Sequence, residues 1–506
     1  MPRMIDPCIV ADKDMPGKWS CFCKFKQTGV SMAWSKDLEI WHPDGRVDAC
    51  RVSGRPPVRL DPEGRTLNTS ERMNPRSLLA PMAAAALVCS PCALPADPTP
   101  LTPPPMPEYL LSATGEPVRH AATGHVTNYD ESKVGTYTLP DPLILSDGQP
   151  VKDAATWFQR RRPEILELYR RFIYGRVPPH TPKATVSIES TDPSALSGSA
   201  VRKVVVIRFG EAPGAPFARV VMYLPAHAKA PVPVVLHLAF HGENSPANNP
   251  ESGAPAVVGD LGPILRILAR GYAYAIYRYT DLQVDTPQTR LSGIQAHTED
   301  AGAPRAMDGW GTISVWAWGA SRVLDYLETD PAVDARRVAL VGHSRLGKTA
   351  LWAGAQDPRF ALVFASCAGE LGSALSRRDF GETVDDMAEH FPWWFAPNFR
   401  QYAGHWGDLP VDAHMLIALN APHPVLITGG SGDLWADPRG EFLAEGAAGP
   451  VYALLGRKGL GTSEMPPVDV AVASGELAFR YHAGPHAVMP EDWSLLLDYA
   501  DRYLRR

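Results

Sequence analysis

No run of about 18 apolar residues free of charged or helix-breaking residues occurs in the 506-residue chain, so nothing in it reads as a membrane-spanning core. An excess of either charge is also absent. Lys and Arg number 49 against 55 Asp and Glu, for a formal net charge of −6, and no basic run of note appears. That balance argues against a nucleic-acid partner. Cysteine is scarce where a folded core would lie. Six of the seven (Cys8, Cys21, Cys23, Cys50, Cys89 and Cys92) precede residue 97, leaving only Cys367 beyond it. One cysteine makes no internal disulfide, so the rest of the chain must rely on a large apolar core.

The N-terminal part divides on composition. Residues 1–72 carry scattered Cys, Pro and charge without sustained periodicity, and are expected to be a non-native or disordered extension. Residues 73–96 read as a signal peptide: Arg76, then SLLAPMAAAALV, then small residues at 93–96. Residues 97–140 are expected to be a proline-rich spacer (DPTPLTPPPMP) and an N-terminal tail. A catalytic domain is expected over 141–506, in a periplasmic or secreted, monomeric protein without a membrane span.

Within 141–506, short apolar runs alternate with helical patterns. Runs at 184–190, 200–209, 218–224, 232–238, 272–277, 338–341, 362–365 and 424–428 have the apolar, β-branched character of strands, and a last strand, loop and helix are expected over 477–506. Helical periodicity is present at 157–174, 262–270 and 311–328, the last with an amphipathic pattern. This order implies a doubly wound, mostly parallel sheet flanked by helices, an α/β three-layer sandwich of the α/β-hydrolase type. Nine of the thirteen tryptophans lie from Trp310 to Trp493. Aromatic-rich clefts suit carbohydrate, although packing accounts for most of these residues.

The most informative stretch is RRVALVGHSRLGK at 336–348. A buried-strand pattern runs into Gly342, which permits a sharp turn with Ser344 at its tip, and helix-forming residues follow. Strand, tight turn and helix are the geometry of a nucleophile elbow, although its second glycine stands at Gly347 instead of position 346. A serine nucleophile needs a base, and the base needs an orienting acid. The Gly/Pro loop at 481–486 offers His482 and His486, of which His486 lies deeper in the loop. For the acid, the loop after 424–428 offers Asp433, near the strand end, and Asp437, which precedes Pro438 in the manner of a helix N-cap. Glu370 and Glu382 are outside candidates. The backbone N–H of Arg345 and the loop at 240–242 are candidate oxyanion donors. The Arg345 side chain would add a cation beside the nucleophile, or form a salt bridge with a nearby acid.

At these residues the chain resembles the glucuronoyl esterases, carbohydrate esterase family 15. The matching motifs are GHSRLGK (342–348), ALSRRDFGET (374–383), WADPRGEF (435–442) and GPHAVMPEDW (484–493). The resemblance implies hydrolysis of esters of (4-O-methyl-)glucuronic acid, as in lignin–xylan cross-links, on a glucuronoxylan substrate with no metal or other cofactor. It makes Ser344 the nucleophile, His486 the base and Arg345 the oxyanion-stabilising side chain. It also places Lys348, Glu382 and Trp435 where the family contacts the uronate hydroxyls. One departure is informative: many members carry a glutamate on the loop after the strand that follows the elbow, and here that position is Cys367. A thiol does not orient an imidazolium as a carboxylate does, so the later acid, Asp433, is expected to serve.

Overall fold

The apolar runs do become a sheet. The computed structural model describes residues 8–11, 19–25, 29–35, 110–112, 115–241, 262–300 and 302–505. Two compact units divide the chain, Met1–Pro103 and Pro104–Arg506. In the first, Cys8–Ala11, Trp19–Phe25 and Gly29–Ser35 pair as an antiparallel sheet. All three strands fall within residues 1–72, the stretch expected to be a non-native or disordered extension. The expected signal at 73–96 and the spacer at 97–107 lie outside the described residues.

The second unit holds a ten-stranded sheet. Its strands are β1 (Ala184–Ala195), β2 (Ala200–Phe209), β3 (Phe217–Pro225), β4 (Val232–Ala239), β5 (Ala273–Arg278), β6 (Val333–His343), β7 (Leu362–Ser366), β8 (Val425–Gly430), β9 (Val470–Val472) and β10 (Leu477–His482). They lie in the order β9-β10-β8-β7-β6-β4-β5-β3-β2-β1. The six strands from β10 to β5 are mutually parallel, while β9 and β3-β2-β1 extend the two edges antiparallel. Every residue of β4, β7 and β8 is buried, as their continuous apolar runs require of strands covered on both faces.

Parallel neighbours need crossovers, and helices supply them. The principal helices are α1 (Arg162–Phe172), α2 (Thr312–Leu327), α3 (Arg345–Gln356), α4 (Pro438–Leu454) and α5 (Pro490–Leu504). Side-chain alternation along the strands divides the core in two. Val338 and Leu340 of β6 pack in one cluster with residues of α2, α3 and α4. Ala339 and Val341 face the other cluster, with Trp493, Leu496 and Leu497 of α5. The result is the three-layer arrangement expected from the sequence.

Three details differ from the sequence expectations. The helix expected over 157–174 begins as a π-turn, Trp157–Arg161, where Arg162 N–H donates to Trp157 O five residues back. Pro163 follows in the first turn of α1, where a missing N–H is tolerated. Helix α2 is not a half-exposed amphipathic helix, because all of it except Arg322 and Asp325 is buried. The insertion between β7 and β8, residues 367–424, closes on its N-terminal end. At Gly311, just before the helix, a Cβ would lie 2.0 Å from Trp394 O.

The third difference is the tail. Residues 115–140, expected to lie outside the catalytic domain, pack within the second unit as a strap across that insertion. Gly381 N–H donates to Asn128 O (2.8 Å), Asn128 Nδ2 to Asp379 O (2.6 Å), and Thr123 Oγ1 to Asp385 Oδ2 (2.8 Å). Glu131 pairs with the buried Arg378 at 2.7 Å. Among the described residues no helix is long and apolar enough to cross a membrane.

Two glycines separate steric need from chance. A Cβ on Gly342 would meet Leu346 O at 1.9 Å, whereas one on Gly446 within α4 would meet nothing within 4 Å. Gly342→Ala is expected to cost about 3 kcal/mol or more. Gly446→Ala is expected to be neutral or to stabilise by up to about 1 kcal/mol. Denaturant unfolding of the two variants beside the wild type checks both values.

Candidate active site

Strand β6 delivers the nucleophile candidate. Its last residue, His343, is buried, and Ser344 follows with φ 57° and ψ −128° before α3 begins. A non-glycine residue in that conformation is strained by about 1–3 kcal/mol and persists only where its surroundings dictate it. Here Ser344 N–H is held by Ser366 O at 2.8 Å, and Ser344 O accepts from the N–H groups of Gly347 and Lys348. The displaced second glycine has a steric reason. A Cβ on Gly347 would lie 2.9 Å from Ala368 Cβ and 3.2 Å from Ser366 O, because the first turn of α3 presses on the end of β7.

His486, in the loop between β10 and α5, lies with Nδ1 2.6 Å from Asp433 Oδ2. The Asp433 side chain is 4% exposed and that of His486 40%, so the pair has a buried end and an open end. A carboxylate acceptor fixes the proton on Nδ1 and leaves the Nε2 lone pair available as a base. His343 packs against the His486 ring at 4.6 Å between centroids. Burial, reinforced by His486 itself, holds the His343 pKa well below the usual value of 6.5, so His343 stays neutral.

The other sequence candidates lie elsewhere. His482 is sealed at the end of β10, with Nε2 3.9 Å from Asp492 Oδ2. Asp437 is the N-cap of α4, accepts from Gly440 N–H at 2.9 Å, and is clamped by Arg378 at 2.8 Å. Glu370 is buried, which pushes its carboxyl well above the usual range, and its Oε1 has no hydrogen-bond partner among the described residues.

Cys367 follows β7 directly, at φ 46° and buried. Burial and the neighbouring Asp433 hold its thiol well above the usual value. One ligating atom from each of Cys367, Asp433 and His486 lies within 4.8 Å of the other two. That donor set suits a soft divalent cation. A 2.6 Å separation of Nδ1 and Oδ2 is nevertheless a hydrogen bond, too short for two ligands each about 2 Å from a shared tetrahedral metal.

Three residues matched through the family resemblance come together beside the elbow. Glu382 accepts from Trp435 Nε1 at 2.9 Å and lies 3.5 Å from Lys348 Nζ. Lys348 Nζ also donates to Ala368 O at 2.8 Å. Arg119, from the strap, stands over the Trp435 ring at 4.6 Å. The cluster joins a cation, an acceptor and a flat apolar ring, the elements that grip a polar sugar.

Arg345, the first residue of α3, forms the salt bridge that was open in the sequence reading. Its Nη1 lies 2.5 Å from Asp285 Oδ2. The guanidinium stands over the rings of Trp394 (4.8 Å) and Phe240 (5.7 Å). Its Nε is buried without a hydrogen-bond partner among the described residues. A buried donor left unmatched costs about 1–3 kcal/mol unless a bound molecule satisfies it. Of the 240–242 loop, Phe240 and His241 are described and Gly242 lies outside the described residues.

Sequence reasoning missed Asp285, Arg119 and Glu441. Asp285 and Arg119 stand in no motif, and only the folded chain brings them to the site. Glu441 lay within a motif (435–442) but had no assigned role. It is fully buried, accepts from Gly369 N–H (3.0 Å) and Ser373 Oγ (2.6 Å), and so ties down the loop after β7.

A family profile described as "Glucuronyl esterase, fungi" matches residues 244–456. The chain is 41% identical over 401 residues to "Carbohydrate esterase MZ0003" from an unknown prokaryotic organism, covering 74% of this chain and 92% of that one. It is 34% identical over 218 residues to "4-O-methyl-glucuronoyl methylesterase 1" of Phanerochaete chrysosporium, covering 41% of this chain and 45% of the relative. Among solved structures, the glucuronoyl esterase from Solibacter usitatus matches with TM-score 0.68 and 41% identity, over 73% of this chain and 99% of that one. The CE15 glucuronoyl esterase from Teredinibacter turnerae matches with TM-score 0.68 and 36% identity, over 76% and 96%.

Burial pushes the Glu441 carboxyl up from the ordinary value of 4.5 to about 8. The folded protein therefore holds a proton there that the unfolded chain gives up. Its contribution is complete below about pH 4.5 and is lost as pH rises toward about 8. Glu441→Gln is expected to flatten the fall in stability across that window. Thermal unfolding of both proteins from pH 5 to pH 8 (about the window set by the linkage relation) checks it, and parallel curves would contradict it.

Proposed function

The chain belongs to the glucuronoyl esterases, carbohydrate esterase family 15, and is a carboxylic ester hydrolase of glucuronic acid esters; from that premise we propose that it cleaves the ester between (4-O-methyl-)glucuronic acid on xylan and lignin alcohols, through a Ser344–His486–Asp433 triad. The observation that carries this reading is the 2.6 Å contact of His486 with Asp433, in a fold that also presents Ser344 on a strained turn. The leader-like stretch at 73–96 supports action outside the cytoplasm, where such polymers are met.

The reaction follows from the chemistry of these groups. His486 Nε2 takes the proton of Ser344 Oγ as the oxygen adds to the uronoyl carbonyl, and Asp433 holds the resulting imidazolium. Arg345 faces the charge that develops on the carbonyl oxygen, with its unmatched Nε as a donor. Collapse breaks the bond to the alcohol, which leaves with the proton from His486. Water then adds to the acyl-enzyme by the same route, releasing the uronic acid and restoring Ser344. Lys348, Glu382 and Trp435 hold the sugar ring meanwhile. Their mutual contacts support that role, because a grip already paired is fixed before the substrate arrives.

Cys367 takes no part in this scheme. Asp433→Asn should lower kcat by roughly 10³–10⁴-fold, the scale set by loss of an orienting carboxylate. Cys367→Ala should leave kcat at the wild-type level. Steady-state rates of the two variants on one uronate ester decide between them, and a normal Asp433→Asn rate would pass the role to another acid.

The substrate class is tested with benzyl glucuronate against a simple aryl acetate. Wild type is expected to prefer the uronate ester strongly, with both activities lost in Ser344→Ala. Lys348→Ala is expected to raise KM for the uronate ester alone. Preference for the acetate would retain the serine esterase and remove the uronate assignment.

A further inference from the structure

Asp285 belongs to no motif, yet it receives more hydrogen bonds than any one structural task requires. It lies in the segment after β5, with its side chain buried. Its Oδ1 accepts from both Trp393 Nε1 (2.8 Å) and Trp394 Nε1 (2.6 Å). Its Oδ2 accepts from Arg345 Nη1 (2.5 Å) and Tyr279 Oη (3.2 Å). Two carboxylate oxygens offer about four acceptor positions, so this carboxylate is saturated. The four donors come from three places: the segment after β5, the elbow, and the insertion after β7.

Arg345 is the donor with freedom to lose. Its long side chain carries several rotatable bonds, and an arginine aimed at a transition state is useful only if it does not have to be reoriented during the reaction. Asp285 grips one end of the guanidinium at Nη1. The Trp394 and Phe240 rings confine its plane. The edge left over is Nε, which is buried and unmatched among the described residues. Were Asp285 simply a counter-ion, any of the guanidinium nitrogens would serve. The geometry engages the terminal nitrogen and keeps the Nε edge in reserve.

We propose that Asp285 is a positioning residue for the reaction: it locks Arg345 with the Nε edge toward the developing oxyanion, and through the Trp393 and Trp394 N–H groups makes that lock depend on the docked insertion. The inference rests on the role given above to Arg345. It adds that the aromatic insertion reaches the chemistry through one carboxylate, so that a change in the cleft wall alters turnover and not only binding.

A double-mutant cycle tests it, reading kcat and KM on benzyl glucuronate with near-UV circular dichroism and thermal unfolding as checks on the fold. Asp285→Asn keeps the shape but turns an N–H₂ group or a weaker acceptor toward Arg345. It is expected to lower kcat by about 100-fold, the scale of a small misplacement of a catalytic group, with little change in KM. In the Arg345→Ala background the same substitution is expected to have no further effect. Trp393→Phe, which keeps the ring and removes one N–H tie, should give a smaller kcat loss that also vanishes in that background. If Asp285→Asn does not fold, the Trp393→Phe cycle decides. A wild-type kcat in Asp285→Asn, or a loss that persists undiminished beside Arg345→Ala, overturns the proposal while leaving Arg345 its role. A wild-type kcat in Arg345→Ala alone removes that role, and the positioning of it as well.

Discussion

The site depends on the want of space between the end of β6 and the first turn of α3. A side chain at position 342 would collide with the carbonyl of Leu346, and one at position 347 would press on Ala368 and Ser366 O. With both positions reduced to backbone, the helix starts one residue after the serine and abuts the neighbouring strand. That closeness forces Ser344 to positive φ and lets its N–H reach Ser366 O. It also fixes Arg345 and Lys348 in the first turn of the same helix, so the three residues proposed as nucleophile, oxyanion cation and sugar-binding cation all follow from one tight turn.

Parallel strands explain how the acid can change address without disturbing the base. Strands β7, β8 and β10 run in register, with Ser366 beside Thr428 and Gly430 beside His482. Their following loops therefore leave the sheet at one rim, where α/β folds place their ligands. A carboxylate after β7 or after β8 can meet a histidine after β10. In this chain the β7 position is Cys367, a buried neutral thiol, and Asp433 after β8 makes the contact. Glu441 then holds the loop after β7 through Gly369 N–H and Ser373 Oγ.

Local pattern carried most of the fold, because central parallel strands must be apolar throughout. The runs at 232–238 and 362–365 became β4 and β7 within a residue, and the elbow stood where GHSRLGK put it. Legibility ended where the deciding partner is remote in sequence. Nothing in residues 311–328 says that Trp394, in the insertion between β7 and β8, will close on Gly311 at the start of α2. The strap at 115–140 shows no periodicity because loop-to-loop hydrogen bonds, not a repeating apolar face, hold it. Of the site, Ser344, His486 and Asp433 follow from fold order along the chain. Asp285 and Arg119 do not, since each acts through a contact that only tertiary structure creates.

The surroundings of the His486–Asp433 pair argue that the acid's charge is meant to act undiluted. His343 is held neutral by burial, Cys367 keeps its proton, and Glu116 on the strap is pushed upward by burial and by Asp433. Glu441 beneath the loop is pushed up to about 8. A charge on His343 would oppose a second cation at His486, and a charge on Cys367 or Glu441 would repel the Asp433 carboxylate, in a medium where charges are poorly screened. With His343 and Cys367 neutral, the proposed scheme leaves Asp433, hydrogen-bonded to His486, to stabilise the imidazolium that would form. On the opposite side of the elbow the arrangement is reversed. Arg345 is given a saturated carboxylate at one end, so its position is held by a charge while its Nε has no hydrogen-bond partner among the described residues. In the proposed scheme both halves would use a buried aspartate to orient a cation, permanent at Arg345 and transient at His486, and neither aspartate itself would need to touch the ester.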